Sequence, residues 1–229
     1  MTLDTLNITH LLESATAEET LLWAARTFGQ KLALVTSFQI TGIVTLHKLQ
    51  QLGLKVDVLT LDTGLLFPET YALMEEVEAF FGIEIQRIRP RQTVAEQDAS
   101  YGPELWTRQP NRCCHYRKVV PLREAIEPYD AWLTGLRRDQ GPSRAQTPIA
   151  SVDERYGKVK IAPFANWREE FMWEYIHAYN LPYNPLHGRG YPSIGCHTCT
   201  AAVHFASTDK RAGRWQGQVK TECGLHVKS

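Results

Sequence analysis

Short apolar runs alternate with helically spaced apolar residues along the first part of the chain. Residues 31–38 (KLALVTSF) and 56–61 (VDVLTL) are apolar runs of the length expected for buried strands. Between them lie residues with the spacing of one helix face: Ile43, Leu46, Leu49 and Leu52. A strand, a helix and a second strand in this order predict a βαβ unit with parallel strands. We therefore predict an α/β fold, with an open, mostly parallel sheet flanked by helices.

The same alternation predicts further elements downstream. Pro68 can open a helix, because proline fits the first helical turn. That helix would present one apolar face, formed by Tyr71, Met74, Val77 and Phe81. Strands are also predicted at residues 83–88, 131–136 and 159–164. Further helices are predicted after Cys114 and along the segment that carries Phe171, Tyr175, Ile176 and Tyr179.

Two segments lack this periodicity. Residues 89–112 contain three prolines and a glycine, which predict a long loop of the kind that often serves a site. Beyond Thr208 the chain has few apolar residues and several glycines, which predict a mobile C-terminal tail. We therefore divide the chain into a body of residues 1–207 and a tail of residues 208–229.

Composition narrows the class of protein. The chain has 229 residues, 43% of them hydrophobic, which is enough for a sizeable core. Its start lacks the pattern of a signal peptide, and no apolar run approaches the roughly 18 residues needed to span a membrane. The 25 basic residues equal the 25 acidic ones, so no general attraction to nucleic acid is expected. We expect a soluble cytoplasmic protein without a membrane or nucleic-acid partner.

Polar residues follow the first two predicted strands. The segment SFQITG lies between a strand and a helix, where backbone N–H groups favour phosphate or sulfate. The segment LDTG closes the second strand, so both segments are expected at the carboxyl edge of the sheet, where α/β proteins bind ligands. The alternative is ordinary turn structure, with Asp62 as a turn or cap residue. The candidate ligand-binding residues are Ser37, Phe38, Gly42, Leu61, Asp62, Thr63 and Gly64.

Four of the five cysteines form two pairs, Cys113 with Cys114 and Cys196 with Cys199. Thiols that stay reduced in the cytoplasm favour metal binding over disulfides. Adjacent cysteines are unusual for zinc, whereas an iron–sulfur cluster can offer each thiolate a separate iron. Buried structural cysteines remain the alternative.

The fifth cysteine, Cys223, lies near the end of the chain between Lys220 and His226. Positive charge there would lower its pKa and favour the reactive thiolate, although Glu222 acts in the opposite direction. The alternative is an inert exposed thiol. Arginines also cluster beside the cysteine segments, where they either bind an anion or form solvated surface charge.

The motifs together resemble the assimilatory adenylyl-sulfate/phosphoadenylyl-sulfate reductase family. The resemblance covers nearly the whole chain and rests on several segments: SFQITG, LDTGLLFPETY, RCCHYRK, TGLRRDQGPSRA, GCHTCT, RAGRW and KTECGLH. It implies an adenine nucleotide alpha hydrolase-like fold. It also implies a 4Fe-4S cluster on Cys113, Cys114, Cys196 and Cys199, and a sulfonucleotide at the SFQITG and LDTG edge.

The resemblance also implies a reaction and residue roles. The Cys223 thiolate would attack the sulfate sulfur of adenylyl sulfate (APS), release AMP and form S-sulfocysteine, from which thioredoxin or glutaredoxin would release sulfite. His226 matches the family histidine near the nucleophile, and the tail would close over the substrate. The phosphosulfate would be held by Lys118, Arg137, Arg211 and Arg214.

Some features leave alternatives. The SFQITG turn lacks an acidic residue found in many related loops and the glycines of ATP pyrophosphatases. The chain ends soon after ECGLH, so an external electron donor is expected. Reduction of 3'-phosphoadenylyl sulfate (PAPS), or of both substrates, is the alternative within the family. A nucleotide-binding regulator with a structural zinc site is the alternative outside it.

Overall fold

A computed structural model describes residues 12–203, 209–220 and 222–226. These residues contain a six-stranded sheet. Its strands are β1 (Leu32–Val35), β2 (Asp57–Leu61), β3 (Ile85–Ile88), β4 (Ala131–Leu133), β5 (Ala150–Asp153) and β6 (Lys158–Ile161). Their spatial order is β3-β2-β1-β4-β6-β5.

The sheet is parallel except at one edge. Strand β1 pairs in parallel with both β2 and β4, and the parallel pairing extends to β3 and β6. The edge strand β5 runs antiparallel to β6. The prediction of a mostly parallel α/β sheet is confirmed. Strand β5 was not predicted, because the short sequence ASVD has no distinctive apolar run.

Helices lie along both faces of the sheet. They are α1 (Ala17–Phe28), α2 (Ile40–Gln51), α3 (Pro68–Phe81), α4 (Val94–Tyr101), α5 (Leu105–Arg108), α6 (Pro110–Cys114), α7 (Val120–Ala125) and α8 (Glu169–Ala178). A π-helical turn, His115–Val119, joins α6 to α7. No helix among the described residues is long and apolar enough to cross a membrane.

Side chains that alternate along the strands supply two hydrophobic clusters. Leu32 and Leu34 of β1 join the larger cluster, which also contains residues of α1, α2, α3 and α8. Ala33, between them, joins the smaller cluster with Leu122 of α7 and Trp132 of β4. This two-residue period places opposite faces of one strand in different cores, as the strand geometry requires.

Most predicted elements are present with shorter strands. Helix α3 begins at Pro68, as predicted, and ends at Phe81, the last residue of the predicted apolar face. The predicted face of α8 differs, because Met172 and Ile176 are fully buried while Phe171 and Tyr179 are 52% and 46% exposed. The spacing of aromatic residues therefore led to the wrong prediction that Phe171 and Tyr179 belong to the buried face.

The prediction of a long loop at residues 89–112 is wrong. Helices α4, α5 and α6 occupy much of it. Helix α4 begins with a capping box, in which Glu96 N donates to Thr93 Oγ1 (3.2 Å) and Thr93 N donates to Glu96 Oε2 (2.8 Å). Gln97 is the one buried residue of this helix, so it has no apolar periodicity to recognise.

The described part of the tail contacts the body. Thr200 and Arg214 form a short antiparallel bridge, and Trp215 N donates to the carbonyl of Cys199 (3.1 Å). The Trp215 side chain is only 3% exposed. The predicted boundary after residue 207 lies at residues 204–208, which are outside the described residues, and tail mobility stays a prediction.

The close approach of α2 to the end of β1 gives a test of the fold. A Cβ at Gly42 would lie 2.1 Å from Thr36 Oγ1, although alanine favours a helix by about 1 kcal/mol. Because the overlap outweighs this preference, Gly42→Ala should reduce the free energy of unfolding by about 1–3 kcal/mol, measured by urea denaturation. Gly188→Ala, with no atom within 4 Å of its added Cβ, is the control and should change it by less than about 0.5 kcal/mol. Equal losses in the two variants would contradict the prediction.

Candidate active site

A cavity lies at the carboxyl edge of the sheet, where the strand order reverses between β1 and β4. Open α/β sheets bind ligands at such a point. Ten predicted site residues line this cavity: Ser37, Gly42, Leu61, Thr63, Lys118, Arg137, Arg211, Arg214, Cys223 and His226. The other seven lie outside its lining: Phe38, Asp62, Gly64 and the paired cysteines Cys113, Cys114, Cys196 and Cys199. Residues from the strand ends, from the turn before α7 and from the tail therefore meet in one space.

The turn after β1 depends on Phe38. Its φ of 54° is unusual for a residue with a side chain, and its ring is 1% exposed in the larger hydrophobic cluster. Phe38 N donates to Thr36 Oγ1 (3.0 Å), which fixes the turn into α2. Phe38 thus shapes the cavity through its backbone, while Ser37 and Gly42 line it.

The carboxylate of Asp62 is already bound within the protein. It accepts hydrogen bonds from Tyr71 Oη (2.6 Å), Arg89 Nε (2.9 Å) and Gly64 N (3.1 Å). Burial raises its pKa, but the bonds from Tyr71, Gly64 and Arg89 outweigh burial and hold it below the ordinary value. Asp62 therefore fixes the turn after β2.

Arg137 is also held by protein groups. Its side chain is 2% exposed, and its Nε donates to Asp139 Oδ1 (3.0 Å) while Nη1 donates to Thr41 Oγ1 (2.6 Å). Its Nη2 lies 3.6 Å from Glu169 Oε2. These contacts join the loop after β4 to the beginning of α2, so Arg137 orders the cavity wall in addition to lining it.

Lys118 is a buried cation among thiol groups. It lies on the π-helical turn and is 9% exposed. Burial lowers its pKa, but Cys196, Cys223 and Cys114 outweigh burial and raise the pKa above the ordinary lysine value. Lys118 therefore keeps its charge at the cavity surface. Such π-helical turns occur frequently at functional sites.

Cys223 lies beside this cation and is half-buried. Its thiol contacts that of Cys114, and this hydrogen bond, together with the charges of Lys118 and Arg214, holds the pKa of Cys223 well below its ordinary value. The same hydrogen bond and burial raise the pKa of Cys114. The arrangement favours a Cys223 thiolate, which is the nucleophilic form.

His226 does not supply the positive charge that its position in the sequence suggested. Its ring stacks on Trp132 at 6.3 Å and 14°. Burial and the nearby cations Lys160 and Arg144 hold the pKa of His226 well below its ordinary value, so the imidazole is neutral near neutral pH. Its backbone N donates to the carbonyl of Cys223 (3.0 Å), which closes the turn that carries the thiol.

The cysteine pairs meet beside Lys118. Cys113 and Cys114 end α6 and are each 6% exposed, while Cys196 is 7% exposed and bonds Thr63 Oγ1 (3.2 Å). Burial and the neighbouring Cys196 and Cys199 raise the pKa of Cys113 to about 11. Across the described residues, no three His, Cys, Asp or Glu side chains form a group suited to one metal ion.

The chemistry of these thiols fits an iron–sulfur cluster. A cuboidal cluster gives each thiolate its own iron, so its ligands need not converge on one point. Arg117 is 3% exposed and interacts with Cys113 and Cys196, while its Nε donates to the carbonyl of Thr63 (2.6 Å). Buried cations beside the thiols would offset the negative charge of thiolate ligands.

Several cavity residues were not predicted from the sequence. Arg144, Glu169 and Lys210 line the cavity beside the predicted arginines. Lys210 Nζ lies 2.8 Å from Glu169 Oε2, while Arg144 binds Glu222 through two nitrogens. The concentration of basic residues in TGLRRDQGPSRA was a signal for Arg144, but the sequence did not show which arginine reaches the cavity.

The bonds to Asp62 give a pH-dependent prediction. Because the folded state lowers its pKa, ionised Asp62 stabilises the fold above the unfolded pKa of about 3.9, and this contribution is lost as pH falls through the folded value. Asp62→Asn should therefore reduce the free energy of unfolding by about 1–3 kcal/mol at about pH 7. Urea denaturation should show a smaller difference from the unsubstituted protein at about pH 3.

Glu75→Gln, an exposed position on α3, is the matched control and should have little effect at either pH. A loss in Asp62→Asn that stays constant between the two pH values would contradict the role given to the Asp62 charge.

Comparison with known proteins identifies the family. Residues 31–202 match the model of the phosphoadenosine phosphosulfate reductase domain. Adenosine 5'-phosphosulfate reductase 1 of Bacillus subtilis is 47% identical over 90% of this chain and 88% of its own length. Adenosine 5'-phosphosulfate reductase of Streptomyces coelicolor is 48% identical over 94% of this chain and 90% of its own length.

Solved structures agree with this relationship. A phosphoadenylyl-sulfate reductase of Candida auris in a phosphate complex is 30% identical, with a TM-score of 0.77 over 89% of this chain and 99% of that chain. Candida glabrata FMN adenylyltransferase has a TM-score of 0.59 at 12% identity over 100% of this chain and 78% of that chain, which shows a shared fold alone. The match of residues 31–202 and the identity over most of the length show that this chain belongs to the phosphoadenosine phosphosulfate reductase family.

Proposed function

We propose that this protein reduces APS to sulfite and AMP in assimilatory sulfate reduction, with thioredoxin or glutaredoxin as electron donor. The observation that carries the proposal is that Cys223, Lys118 and Arg214 line one cavity at the carboxyl edge of the sheet. The substrate is supported by relatives 47% and 48% identical that are named adenosine 5'-phosphosulfate reductases.

In the first step, the Cys223 thiolate attacks the sulfur of the sulfate group. A sulfur–sulfur bond forms, the bond from sulfur to the bridging oxygen breaks, and AMP leaves with the bonding electron pair. The product on the enzyme is S-sulfocysteine. Lys118 and Arg214 would offset the negative charge of both reactants, which otherwise repel each other. The same two cations lower the pKa of Cys223 and so favour the thiolate that attacks.

In the second step, a thiolate of thioredoxin attacks the Cys223 sulfur and releases sulfite. The resulting mixed disulfide is resolved by the second thioredoxin thiol, which restores the Cys223 thiol and leaves thioredoxin oxidised. Thioredoxin thus supplies the two electrons. Free thiols are maintained in the reducing cytoplasm, where we place the reaction.

The nucleotide would lie along the strand ends. We propose that the turn of Ser37, Phe38 and Gly42 and the segment from Leu61 to Gly64 shape the adenylyl part of the site. The phosphosulfate would extend toward Lys118, Arg137, Arg211 and Arg214, whose guanidinium groups suit oxyanions. His226 would position the nucleophile through its backbone bond to Cys223.

The cysteine pairs Cys113–Cys114 and Cys196–Cys199 would hold a 4Fe-4S cluster. When bound, the cluster would give structural and electrostatic support to the region around Lys118. The protein brings Cys196 to this place through a β-bridge with Leu66 and the bond between its sulfur and Thr63 Oγ1. This bridge ties the C-x-x-C segment to the strand end that lines the cavity.

The tail of residues 208–229 would act as a closing segment that carries Cys223. The buried Trp215 and the bridge between Thr200 and Arg214 support this assignment, because they seat the tail against the body. A closed tail would exclude water from the sulfate group during attack.

Reduction of PAPS is the second candidate. It is favoured by the 30% identity and TM-score of 0.77 with the Candida auris structure, which is named a PAPS reductase. The two activities differ only in the 3'-phosphate of the nucleotide. Sulfite release from each of the two nucleotides separates the two candidates.

Anaerobically purified protein with thioredoxin should release sulfite from APS at least about tenfold more efficiently than from PAPS, measured as kcat/KM. Comparable or greater efficiency with PAPS would overturn the proposed preference.

Cys223→Ser should release no sulfite but retain AMP binding, because the substitution removes the nucleophile and leaves the cavity. Sulfite release by Cys223→Ser would contradict the proposed intermediate.

The cluster has its own spectroscopic test. The anaerobic protein should be brown, absorb in the near-ultraviolet and visible range, and contain about four iron ions per chain. Serine in place of Cys113 or Cys196 should abolish the absorption. Cys223→Ser is the matched control and should retain it, because Cys223 lies outside the proposed ligand set. Colourless protein that contains zinc would support the structural zinc alternative instead.

A further inference from the structure

Glu222, the residue before the proposed nucleophile, accepts four hydrogen bonds through its carboxylate. Its Oε2 accepts from Arg144 Nε (2.8 Å), and its Oε1 accepts from Arg144 Nη2 (2.7 Å) and Arg211 Nη2 (2.9 Å). The same Oε1 accepts from the backbone N of Cys223 (2.8 Å). Glu222 is only 9% exposed, so these bonds are largely protected from water.

The Glu222 contacts join separate parts of the chain. Arg144 belongs to the body, in the short turn Pro142–Arg144, whereas Glu222 and Arg211 belong to the tail. Arg144 is held in place by a bond from its Nη1 to Gln140 Oε1 (2.6 Å), which also accepts from Arg137 N (3.0 Å). The carboxylate therefore binds a preformed site on the body, and the two-point bond to Arg144 fixes its orientation.

Charge favours a stable ion pair. Burial raises the pKa of Glu222, but Arg144 and Arg211 outweigh burial and hold that pKa below the ordinary value. Burial and the neighbouring Arg144 lower the pKa of Arg211 to about 10, so Arg211 keeps its charge near neutral pH. An ionised carboxylate between two guanidinium groups offsets the repulsion that these cations would otherwise exert on each other.

The ion pairs divide the cations of the cavity into two groups. Arg144 and Arg211 are engaged by Glu222. In the described ranges, Lys118 and Arg214 form no ion pair with a carboxylate, and both lower the pKa of Cys223. The sulfur thus lies near Lys118 and Arg214, while the backbone N of Cys223 is bound by Glu222, the residue that engages Arg144 and Arg211.

We propose that Glu222 is a positioning residue that locks the tail to the body through Arg144, is held within the tail by Arg211, and thereby sets Cys223 at the sulfate end of the cavity. The proposal rests on the proposed function for the identity of the substrate. Arg144 and Arg211 act on the nucleophile through Glu222, and Arg211 does so in addition to its proposed contact with phosphosulfate. Because Glu222 does not touch the reacting atoms, its loss affects the placement of the thiol rather than nucleotide binding.

Glu222→Gln keeps the shape of the side chain and removes its charge. With APS and thioredoxin, kcat should fall at least about tenfold while KM changes less than about twofold, because the interaction acts on attack rather than on binding. Arg144→Lys, which replaces the two-point bond from the body side, should give the same pattern. Glu174→Gln, on the exposed face of α8, is the matched control and should behave as the unsubstituted protein.

A second readout does not need catalysis. In AMP-bound protein, the rate of Cys223 alkylation by iodoacetamide, followed by mass spectrometry of the tail peptide, should change at least about threefold in Glu222→Gln and Arg144→Lys. Limited proteolysis should also cleave the tail faster in both variants. If the unsubstituted protein released no sulfite, the proposed function would fail, whereas these two measurements would still test the lock.

The double variant tests the coupling. If the two side chains act together, Glu222→Gln with Arg144→Lys should lose no more activity than the worse single variant. Fully additive losses, or alkylation and cleavage rates equal to those of Glu174→Gln, would overturn the proposal. A lower KM with unchanged kcat in Glu222→Gln would also overturn it, because Glu222 would then be a competitor for the substrate's anion site. Should Glu222→Gln fail to fold, Arg144→Lys tests the same interaction, because it changes the partner of Glu222 on the body.

Discussion

The burial of Lys118 among thiol groups is the interaction on which the site depends. A lysine that is 9% exposed normally loses its charge or needs a partner, and here the partners are cysteines from three separate segments. Cys114 comes from α6, Cys196 from the C-x-x-C segment and Cys223 from the tail. These thiols lie far apart in the sequence, and Lys118 joins the proposed cluster site to the proposed nucleophile.

The sheet determines where this cation can act. Because β1 pairs in parallel with both β2 and β4, the ends of all three strands open toward the same cavity. The turn after β1 must then fit against the beginning of α2, where Thr36 Oγ1 leaves no room for a side chain at position 42. The tight turn between β1 and α2 therefore uses Gly42 and a positive φ at Phe38. This turn places the first backbone N–H groups of α2 at the edge of the sheet where ligands bind.

The sequence predicted strands and helices correctly where apolar residues recur with the period of one of these elements. Apolar runs predicted the parallel strands, and Pro68 with the apolar face that includes Met74 and Val77 predicted α3 and its observed start. Helix α4 could not be found in this way, because a capping box rather than an apolar face defines it. Motifs predicted that Lys118 and Cys223 are site residues, and both line the cavity. Only the fold showed that the imidazole of His226 is neutral, since its pKa depends on burial and on cations distant in the sequence.

The number of basic residues alone overstates the positive charge that this cavity offers to an anion. Six arginine or lysine side chains line it, yet carboxylates engage four of them: Asp139 binds Arg137, Glu222 binds Arg144 and Arg211, and Glu169 binds Lys210. As a neighbouring negative charge alone, Glu222 would disfavour the ionised form of Cys223. Within the fold, its charge is offset by two guanidinium groups, and its remaining effect on Cys223 is geometric. An acidic residue beside a nucleophilic cysteine is therefore compatible with a low thiol pKa when other cations, here Lys118 and Arg214, face the sulfur.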